Sequence, residues 1–214
     1  MAINTYADRY RYWRYSAFRW RSQLSVAQKI GLALVMAGLT GLLAQVRIPL
    51  WFTPVPLTGQ VFAVLLSGVL LGAGYGSLSQ ALYLGIGACG VPWYQGWQGG
   101  IGYLSHTATL GYLIGFIAAP LIIGGLIERY IAARKFLLQL GIMIVGVAII
   151  YLFGAAYLGV MLHTGLGETI KLAVVPFIPL DIAKAAAVAG ISTALLPKAS
   201  YTREADKEKY PASY

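Results

Sequence analysis

Residues 57–89 read LTGQVFAVLLSGVLLGAGYGSLSQALYLGIGAC, and this stretch decides the fold class. Its apolar residues run on continuously, without the alternation of apolar and polar residues that a membrane β-strand shows. Two apolar segments, residues 57–71 and 75–89, are separated only by the short sequence GAG at residues 72–74. The pattern predicts two membrane helices joined by a tight cytoplasmic hairpin.

The whole chain has the composition of an integral membrane protein. Of its 214 residues, 58% are hydrophobic and 11% are charged, whereas about 25% are charged in soluble domains. The mean hydropathy is +0.70. Residues 48–127 contain no Asp, Glu, Lys or Arg, which a water-exposed surface would not allow. We therefore expect an all-α membrane domain.

Six apolar segments predict six transmembrane helices. They lie at residues 30–46, 57–71, 75–89, 109–127, 136–162 and 176–196. Most of the 16 Lys and Arg residues lie in the N-terminal tail, in a loop at residues 129–135 or in the C-terminal tail. The positive-inside rule then predicts that both termini are cytoplasmic. Topology and anionic lipid thus account for the net charge of +9, and nucleic acid is not an expected partner.

The chain is expected to divide into three parts. Residues 1–28 include RYRYWRYSAFRWRSQ, in which arginines alternate with aromatic residues. This mixture is typical of a segment that lies among lipid headgroups, so we expect a cytoplasmic interfacial extension on the bilayer. Residues 29–197 form the predicted six-helix domain, and residues 198–214 form a polar cytoplasmic tail.

Asp181 and Lys184 are the most informative residues for function. They lie three positions apart in FIPLDIAK, so their side chains share one face of the last predicted helix. A charge at membrane depth costs about 2.5 to 3.5 kcal/mol, and such groups normally face a protein interior or a polar cavity. One interpretation is ligand binding. The other is that the two residues pair with each other, or that Lys184 reaches the surface.

The predicted outer loop VPWYQGWQGGIGYLSHTATLGY holds a second group of ligand-type residues. Aromatic rings stack on apolar ligand surface, amides form directed hydrogen bonds, and glycine allows close approach of the backbone. The candidates are Trp93, Tyr94, Gln95, Trp97, Gln98 and Tyr112. An aromatic belt at the membrane surface is the alternative interpretation.

Two further segments suggest a gate and a helix-packing face. TPVPLTGQ has two prolines before the second helix and should stay extended, either as a gate or as a simple start of that helix. Its candidate gating residues are Thr53, Pro54, Val55, Pro56, Thr58 and Gln60. Ala33, Ala37 and Gly41 form a stripe of small residues on the first helix. Such a stripe lets another helix come close, either within the chain or in a partner.

Catalytic and metal sites have little support in the sequence. His106 and His163 have no neighbouring Cys, Asp or Glu at a metal-ligand spacing, and HExxH, GxSxG and GxxxxGK[ST] motifs are absent. We therefore expect no enzyme activity, no metal and no cofactor. If ATP drives transport by this protein, another subunit must hydrolyse it.

The joint order of these motifs resembles the BioY family, the biotin-binding S components of energy-coupling factor (ECF) transporters. The matching segments are TPVPLTGQ, LLGAGYGSLSQALYLGIGACGVPWYQGWQGG, TLGYLIGF and FIPLDIAK, and the resemblance covers residues 30–197. It implies a six-helix S-component-like domain whose outer pocket is closed by the loop between helices 1 and 2. It also implies ATP-driven uptake of biotin with an EcfT-like transmembrane coupling subunit and two ABC ATPases, in a prokaryotic plasma membrane.

The resemblance also implies roles for the candidate residues. Asp181 would accept a hydrogen bond from the ureido group of biotin, and Lys184 would pair with its carboxylate. Gln95 and Gln98 would add hydrogen bonds, whereas the apolar wall would come from Trp93, Tyr94, Trp97 and Tyr112. Ala33 and Ala37 would dock the coupling subunit. A self-sufficient or ion-coupled carrier of biotin or a small carboxylate remains the alternative, with Asp181 as its titrating group.

Overall fold

The computed structural model describes residues 6–130 and 135–196, and these residues form eight helices and one short hairpin. In chain order the elements are α1 (Tyr6–Gln23), α2 (Val26–Gln45), β1 (Arg47–Ile48), β2 (Leu57–Thr58), α3 (Gln60–Ala88), α4 (Ile101–His106), α5 (Leu110–Arg129), α6 (Phe136–Leu162), α7 (Leu166–Ala173) and α8 (Ile178–Leu195). The predicted tail at residues 198–214 and Arg134 of the basic loop lie outside the described residues.

Five of the described helices are long and apolar enough to cross a membrane: α2, α3, α5, α6 and α8. The all-helical membrane class predicted from composition is therefore confirmed. The six predicted segments correspond to five helices because α3 takes up nearly all of the second and third segments; Leu57 and Thr58, predicted as helix, form β2. Six separate crossings, and the side of the membrane on which each terminus lies, stay predictions.

Helix α3 is broken at Gly72, whose φ of 79° and ψ of −173° are not helical. A Cβ added at Gly76 would lie only 3.1 Å from the Cα of Gly68. Gln60 Nε2 also donates a hydrogen bond of 2.9 Å to Tyr83 Oη, although an unbroken helix would separate these residues by about 34 Å. The two halves of α3 therefore run back along each other, as the predicted hairpin at residues 72–74 requires.

The helices pack closely around α3 and α5 because glycines lie where their backbones meet. A Cβ at Gly124 would lie 2.2 Å from the backbone nitrogen of Ala73, and one at Gly115 would lie 2.9 Å from the Cα of Ile150. Between lipid-facing helices, close packing and van der Waals contact supply most of the association energy. The buried core then runs through α3, α5, α6 and α8, with Leu65, Ile123, Met143, Ile150 and Val188 fully buried.

Helix α2 begins at Val26, just after the arginine-rich segment. Ser25 caps it: its Oγ accepts a hydrogen bond from the Gln28 backbone N–H, and the Gln28 side chain accepts one from the Ser25 N–H. This capping box separates α1 from α2. The arginine-rich segment predicted to lie on the membrane surface is thus a helix of its own.

The stripe of small residues on α2 packs within the chain. Ala33 and Ala37 are fully buried, and a Cβ at Gly41 would lie 3.0 Å from the Cβ of Trp93. On the same buried face, Thr40 Oγ1 is hydrogen-bonded to the side chain of Gln80 in α3. Internal packing, one of the two interpretations of the stripe, therefore holds within this chain, and docking of a coupling subunit at Ala33, Ala37 and Gly41 stays a prediction.

Candidate functional site

A small cavity of about 40 Å³ lies among β2, α3, α5, α6 and α8. The start of α3 and the start of α8 both reach it, so its walls bring together segments far apart in sequence. Many of the residues predicted to bind or gate a ligand line it: Val55, Pro56, Thr58, Gln60, Gln95, Tyr112, Asp181 and Lys184. The sequence candidates therefore converge on a single place in the fold.

Asp181 and Lys184 form an ion pair in the cavity wall. Lys184 Nζ lies 2.7 Å from Asp181 Oδ1, and Asp181 is only 3% exposed. Lys184 Nζ also donates a hydrogen bond of 2.5 Å to the carbonyl oxygen of Thr58. Each charge thus has a partner, which offsets the cost of its burial. Direct pairing, one of the two interpretations of the sequence, holds in this structure.

Tyr151 is a site residue that the sequence analysis missed. Its Oη, reaching in from α6, donates a hydrogen bond of 2.7 Å to Asp181 Oδ2. Both carboxylate oxygens of Asp181 are therefore engaged, one by a phenol and the other by an ammonium group. In the sequence, Tyr151 is distinguished only as a polar residue within an apolar helix. Tyr157 of the same helix has the same feature and does not line the cavity, so the sequence alone could not select Tyr151.

Hydrogen bonds fix both ends of the predicted gating segment. Arg47 pairs with Thr58, and Ile48 with Leu57, in the β1–β2 hairpin. Thr53 Oγ1 donates a hydrogen bond of 3.0 Å to the carbonyl of Leu172 in α7. The segment between them contributes Val55 and Pro56 to the cavity wall. It is thus placed where a gate would act, although Pro54 does not line the cavity.

Most of the predicted aromatic ligands serve the packing of the outer loop and do not line the cavity. Trp93 Nε1 donates a hydrogen bond of 2.9 Å to the Tyr83 carbonyl. Tyr94 is 1% exposed, stacks on Tyr103 and bonds the Leu84 carbonyl. Burial raises the pKa of Tyr94 to about 12, so its phenol stays a donor. Trp97 is 63% exposed.

Gln45 of α2 holds the turn that carries Gln95. Its Nε2 donates to the carbonyls of Trp93 and Tyr94 at 3.3 and 3.0 Å, and its Oε1 accepts the Trp97 backbone N–H at 3.0 Å. Trp97, at the end of this turn, has a φ of 60°, which costs energy that such contacts offset. This role for Gln45 could not be predicted from the sequence, because a helix-end glutamine has no distinctive pattern.

The two predicted glutamines have different surroundings. Gln95 lines the cavity, and its Oε1 is buried without a hydrogen-bond partner among the described residues. A buried acceptor in this state carries a desolvation penalty that a ligand N–H would relieve. Gln98 is exposed, and its side-chain Nε2 donates a hydrogen bond of 3.4 Å to the Gly96 carbonyl. Of the two amides, only Gln95 is placed to contact a ligand.

Comparison with known proteins identifies the family. The model of the BioY family matches residues 16–201. This chain belongs to the BioY family. A probable biotin transporter BioY from Methanothermobacter thermautotrophicus is 43% identical over 151 residues, which cover 67% of this chain and 96% of that protein. The biotin transporter BioY of Thermotoga maritima is 37% identical over 163 residues, covering 76% and 89% respectively.

A solved structure supports the fold of this BioY-family chain independently. It is the S-component for biotin from an ECF-type ABC transporter, and it matches with a TM-score of 0.73. The match covers 85% of this chain and 98% of the solved one at 24% sequence identity. The helical architecture predicted from the sequence is thus that of an S component, and the BioY-family chain is an integral membrane protein.

Proposed function

We propose that this BioY-family chain captures biotin in the cavity beside Asp181 and Lys184, as the substrate-binding subunit of an ECF-type importer. The observation that carries the proposal is the convergence of a buried ion pair and an unpaired buried amide oxygen, that of Gln95, on one cavity. Charged groups inside a membrane domain mark ligand or ion sites. Close relatives named as biotin transporters support the choice of ligand.

The chemistry of biotin matches the groups in the wall. Its ureido ring has two N–H donors, and acceptors for them are the Asp181 carboxylate and the free Oε1 of Gln95. Tyr112, Phe116 and Phe177 offer apolar surface for the sulfur-containing ring. Lys184 is the cation available for the carboxylate of the valerate tail. Trp93, Tyr94, Trp97 and Gln98 have no part in this contact set.

Binding requires Lys184 to change partners. The ureido ring and the carboxylate lie at opposite ends of biotin, whereas Lys184 Nζ and Asp181 Oδ1 lie 2.7 Å apart. The two residues therefore cannot hold both ends of the ligand in the present arrangement. The flexible lysine side chain must leave Asp181 and the Thr58 carbonyl to meet the carboxylate, and Asp181 is then free to accept a ureido N–H.

The cavity must also expand. Its volume is about 40 Å³, whereas pockets for small organic ligands measure roughly 300 to 1,000 Å³. Hydrogen bonds tie the segment between β1 and β2, together with β2 itself, to the helices α7 and α8: Thr53 to the Leu172 carbonyl and Lys184 to the Thr58 carbonyl. Movement of this segment would release Lys184 and enlarge the cavity in one step.

The wider context of the proposal is ATP-driven uptake. The chain has no nucleotide-binding loop, so an EcfT-like coupling subunit and two ABC ATPases would supply the energy. The two halves of α3 would cross a prokaryotic plasma membrane separately, which gives six crossings and two cytoplasmic termini. The alternative is a self-sufficient or ion-coupled carrier, in which the Asp181 carboxylate exchanges protons during transport.

Calorimetric titration of biotin into the detergent-purified chain tests the capture step. We expect one site per chain, with binding lost in Asp181→Asn and Lys184→Ala and retained in Lys171→Ala, an exposed lysine of α7. Well-folded protein that does not bind biotin would overturn the assignment. Uptake into vesicles distinguishes the two transport modes: the proposal requires ATP and partner subunits, whereas uptake by the chain alone under a proton gradient supports the alternative.

A further inference from the structure

An apolar groove of about 390 Å³ lies at the far end of the bundle from the ligand cavity. All of its lining side chains are apolar, and they come from α1, α2, α3 and α8; Trp20, Val35, Leu39, Leu71 and Leu195 are among them. Asp181 lies in the first turn of α8 and Leu195 is its last residue, so about 21 Å of helix separates the two sites. Such a groove excludes water and suits a hydrocarbon occupant.

Helix α1 borders the groove and is fastened to the end of α8. Tyr10 Oη donates a hydrogen bond to the carbonyl oxygen of Ala194, and Arg14 Nη2 donates one of 3.3 Å to that of Thr193. These carbonyls belong to the last turn of α8, where partners within the helix are missing. The two bonds therefore cap α8 and hold α1 beside the groove, with Trp20 in its wall.

The same helix brings positive charge to the edge of the groove. The sequence of α1 contains five arginines and a single acidic residue, Asp8. Arg14 is only 6% exposed, and its Nε is buried with no hydrogen-bond partner in the described residues. Its contacts within the described part of the chain are the Thr193 carbonyl and the ring of Tyr10, neither of which carries a negative charge. An anion at this point would offset the cost of the buried guanidinium.

We propose that the groove binds an acyl chain of one acidic phospholipid, whose phosphate is held by Arg14 of α1. The apolar groove and its cationic edge match the acyl chain and the net negative headgroup of such a lipid, whereas a zwitterionic lipid offsets its phosphate with an ammonium group. The site lies at the opposite end of α8 from the ligand cavity, so it does not depend on biotin binding. It gives α1, which precedes the first membrane-spanning helix, a specific lipid partner.

Native mass spectrometry of the full chain in detergent tests the site, with dioleoyl phosphatidylglycerol and dioleoyl phosphatidylcholine as probes. We expect one retained phosphatidylglycerol, bound about fivefold or more tightly than phosphatidylcholine, because one basic residue near a lipid surface contributes on that order. Arg14→Gln should remove this preference. Equal binding of the two lipids by the unmodified chain would overturn the proposal.

A bulky side chain placed in the groove gives a second test of lipid binding. Val35 is 70% exposed and lines the groove, so Val35→Trp should block the acyl chain without disturbing the core. Its matched control is Val145→Trp, because Val145 is 45% exposed on α6 and is not part of the groove. We expect phosphatidylglycerol binding to fall about tenfold in the first variant only. Val35→Ser, which makes the groove polar, should weaken binding in the same direction.

Biotin binding by each variant reports whether it is folded. A protein interface is the competing use of this groove. If Val35→Trp and Val35→Ser keep phosphatidylglycerol affinity but lose capture by an ATPase-coupled membrane partner, the groove belongs to that partner and the lipid assignment is wrong.

Discussion

Tyr151 Oη and Asp181 Oδ2 are joined by a 2.7 Å hydrogen bond between two different helices, α6 and α8. The bond orients the carboxylate whose other oxygen meets Lys184. It also means that a ligand N–H at Asp181 meets an acceptor whose direction is already fixed. The phenol of Tyr151 is therefore a positioning group for the proposed ureido contact, and its removal should lower the affinity for biotin.

Tyr151→Phe removes this hydrogen bond and keeps the ring. A hydrogen bond to a charged group contributes about 1.5 to 3 kcal/mol, so we expect biotin affinity to fall about tenfold or more. Tyr157→Phe, on the same helix but away from the cavity, is the matched control and should bind normally. Calorimetry on both variants measures the affinity for biotin. Equal affinities would show that Tyr151 does not position Asp181 for the ligand.

Gln95→Met should separate ligand affinity from protein stability. The Oε1 of Gln95 is already buried and unpaired without ligand, so replacing the amide with an apolar side chain removes a desolvation penalty. We expect the melting temperature of the unliganded protein to stay level or rise, while biotin affinity falls about fivefold to tenfold.

Gln98→Met provides the control for that experiment, because Gln98 is exposed and outside the cavity wall. It should leave affinity unchanged. A Gln95→Met protein that melts earlier and binds biotin normally would show that Gln95 serves the structure of the loop alone.

Gly72→Ala should destabilise the protein by about 1 to 2 kcal/mol, because Gly72 has a φ of 79° that L-residues with side chains rarely adopt. An added Cβ would also overlap the Glu128 carboxylate. Gly74→Ala meets no atom within 4 Å and should be neutral or slightly stabilising. Thermal unfolding in detergent compares the two variants, and equal melting temperatures would contradict a sharp reversal at Gly72.

Two kinds of feature could be predicted from the sequence: charges that are costly to bury in an apolar helix, and turns that depend on local residue spacing. Asp181 and Lys184 stand out because two charges inside an apolar helix need a partner, and the reversal near Gly72 follows from a short glycine-containing break. Tyr151 and Gln45 could not be found in this way, because their roles depend on which helix faces them. For the same reason, the small residues Ala33 and Ala37 fit an internal or an external helix contact equally well; in the structure both are buried within the chain, on a helix that packs against α3.

The aromatic residues of the outer loop show a similar limit. Trp93, Tyr94 and Trp97 have the composition of a ligand site, but the same rings also fill a loop that must fold onto α3. The structure uses Trp93 and Tyr94 in that second way, with hydrogen bonds to the Tyr83 and Leu84 carbonyls. Composition alone does not distinguish the two uses, because both require flat apolar surface with one polar atom at its edge.

Thr53→Val tests whether the segment between β1 and β2 is the moving gate. The variant keeps the side-chain volume and removes the 3.0 Å hydrogen bond from Thr53 Oγ1 to the Leu172 carbonyl. If that bond forms in the closed state and breaks on opening, its loss weakens the closed state by about 1 kcal/mol. Bound biotin should then dissociate about fivefold faster.

Stopped-flow or radioligand exchange measures this rate. Ser105→Ala, in the exposed helix α4, is the control for a lost hydroxyl outside the gate. The association rate should also rise in Thr53→Val, since an unliganded chain opens more often when its tether is missing. A dissociation rate equal to that of the control would mean that biotin enters and leaves by another route, and that the Thr53 bond only fixes the loop on α7.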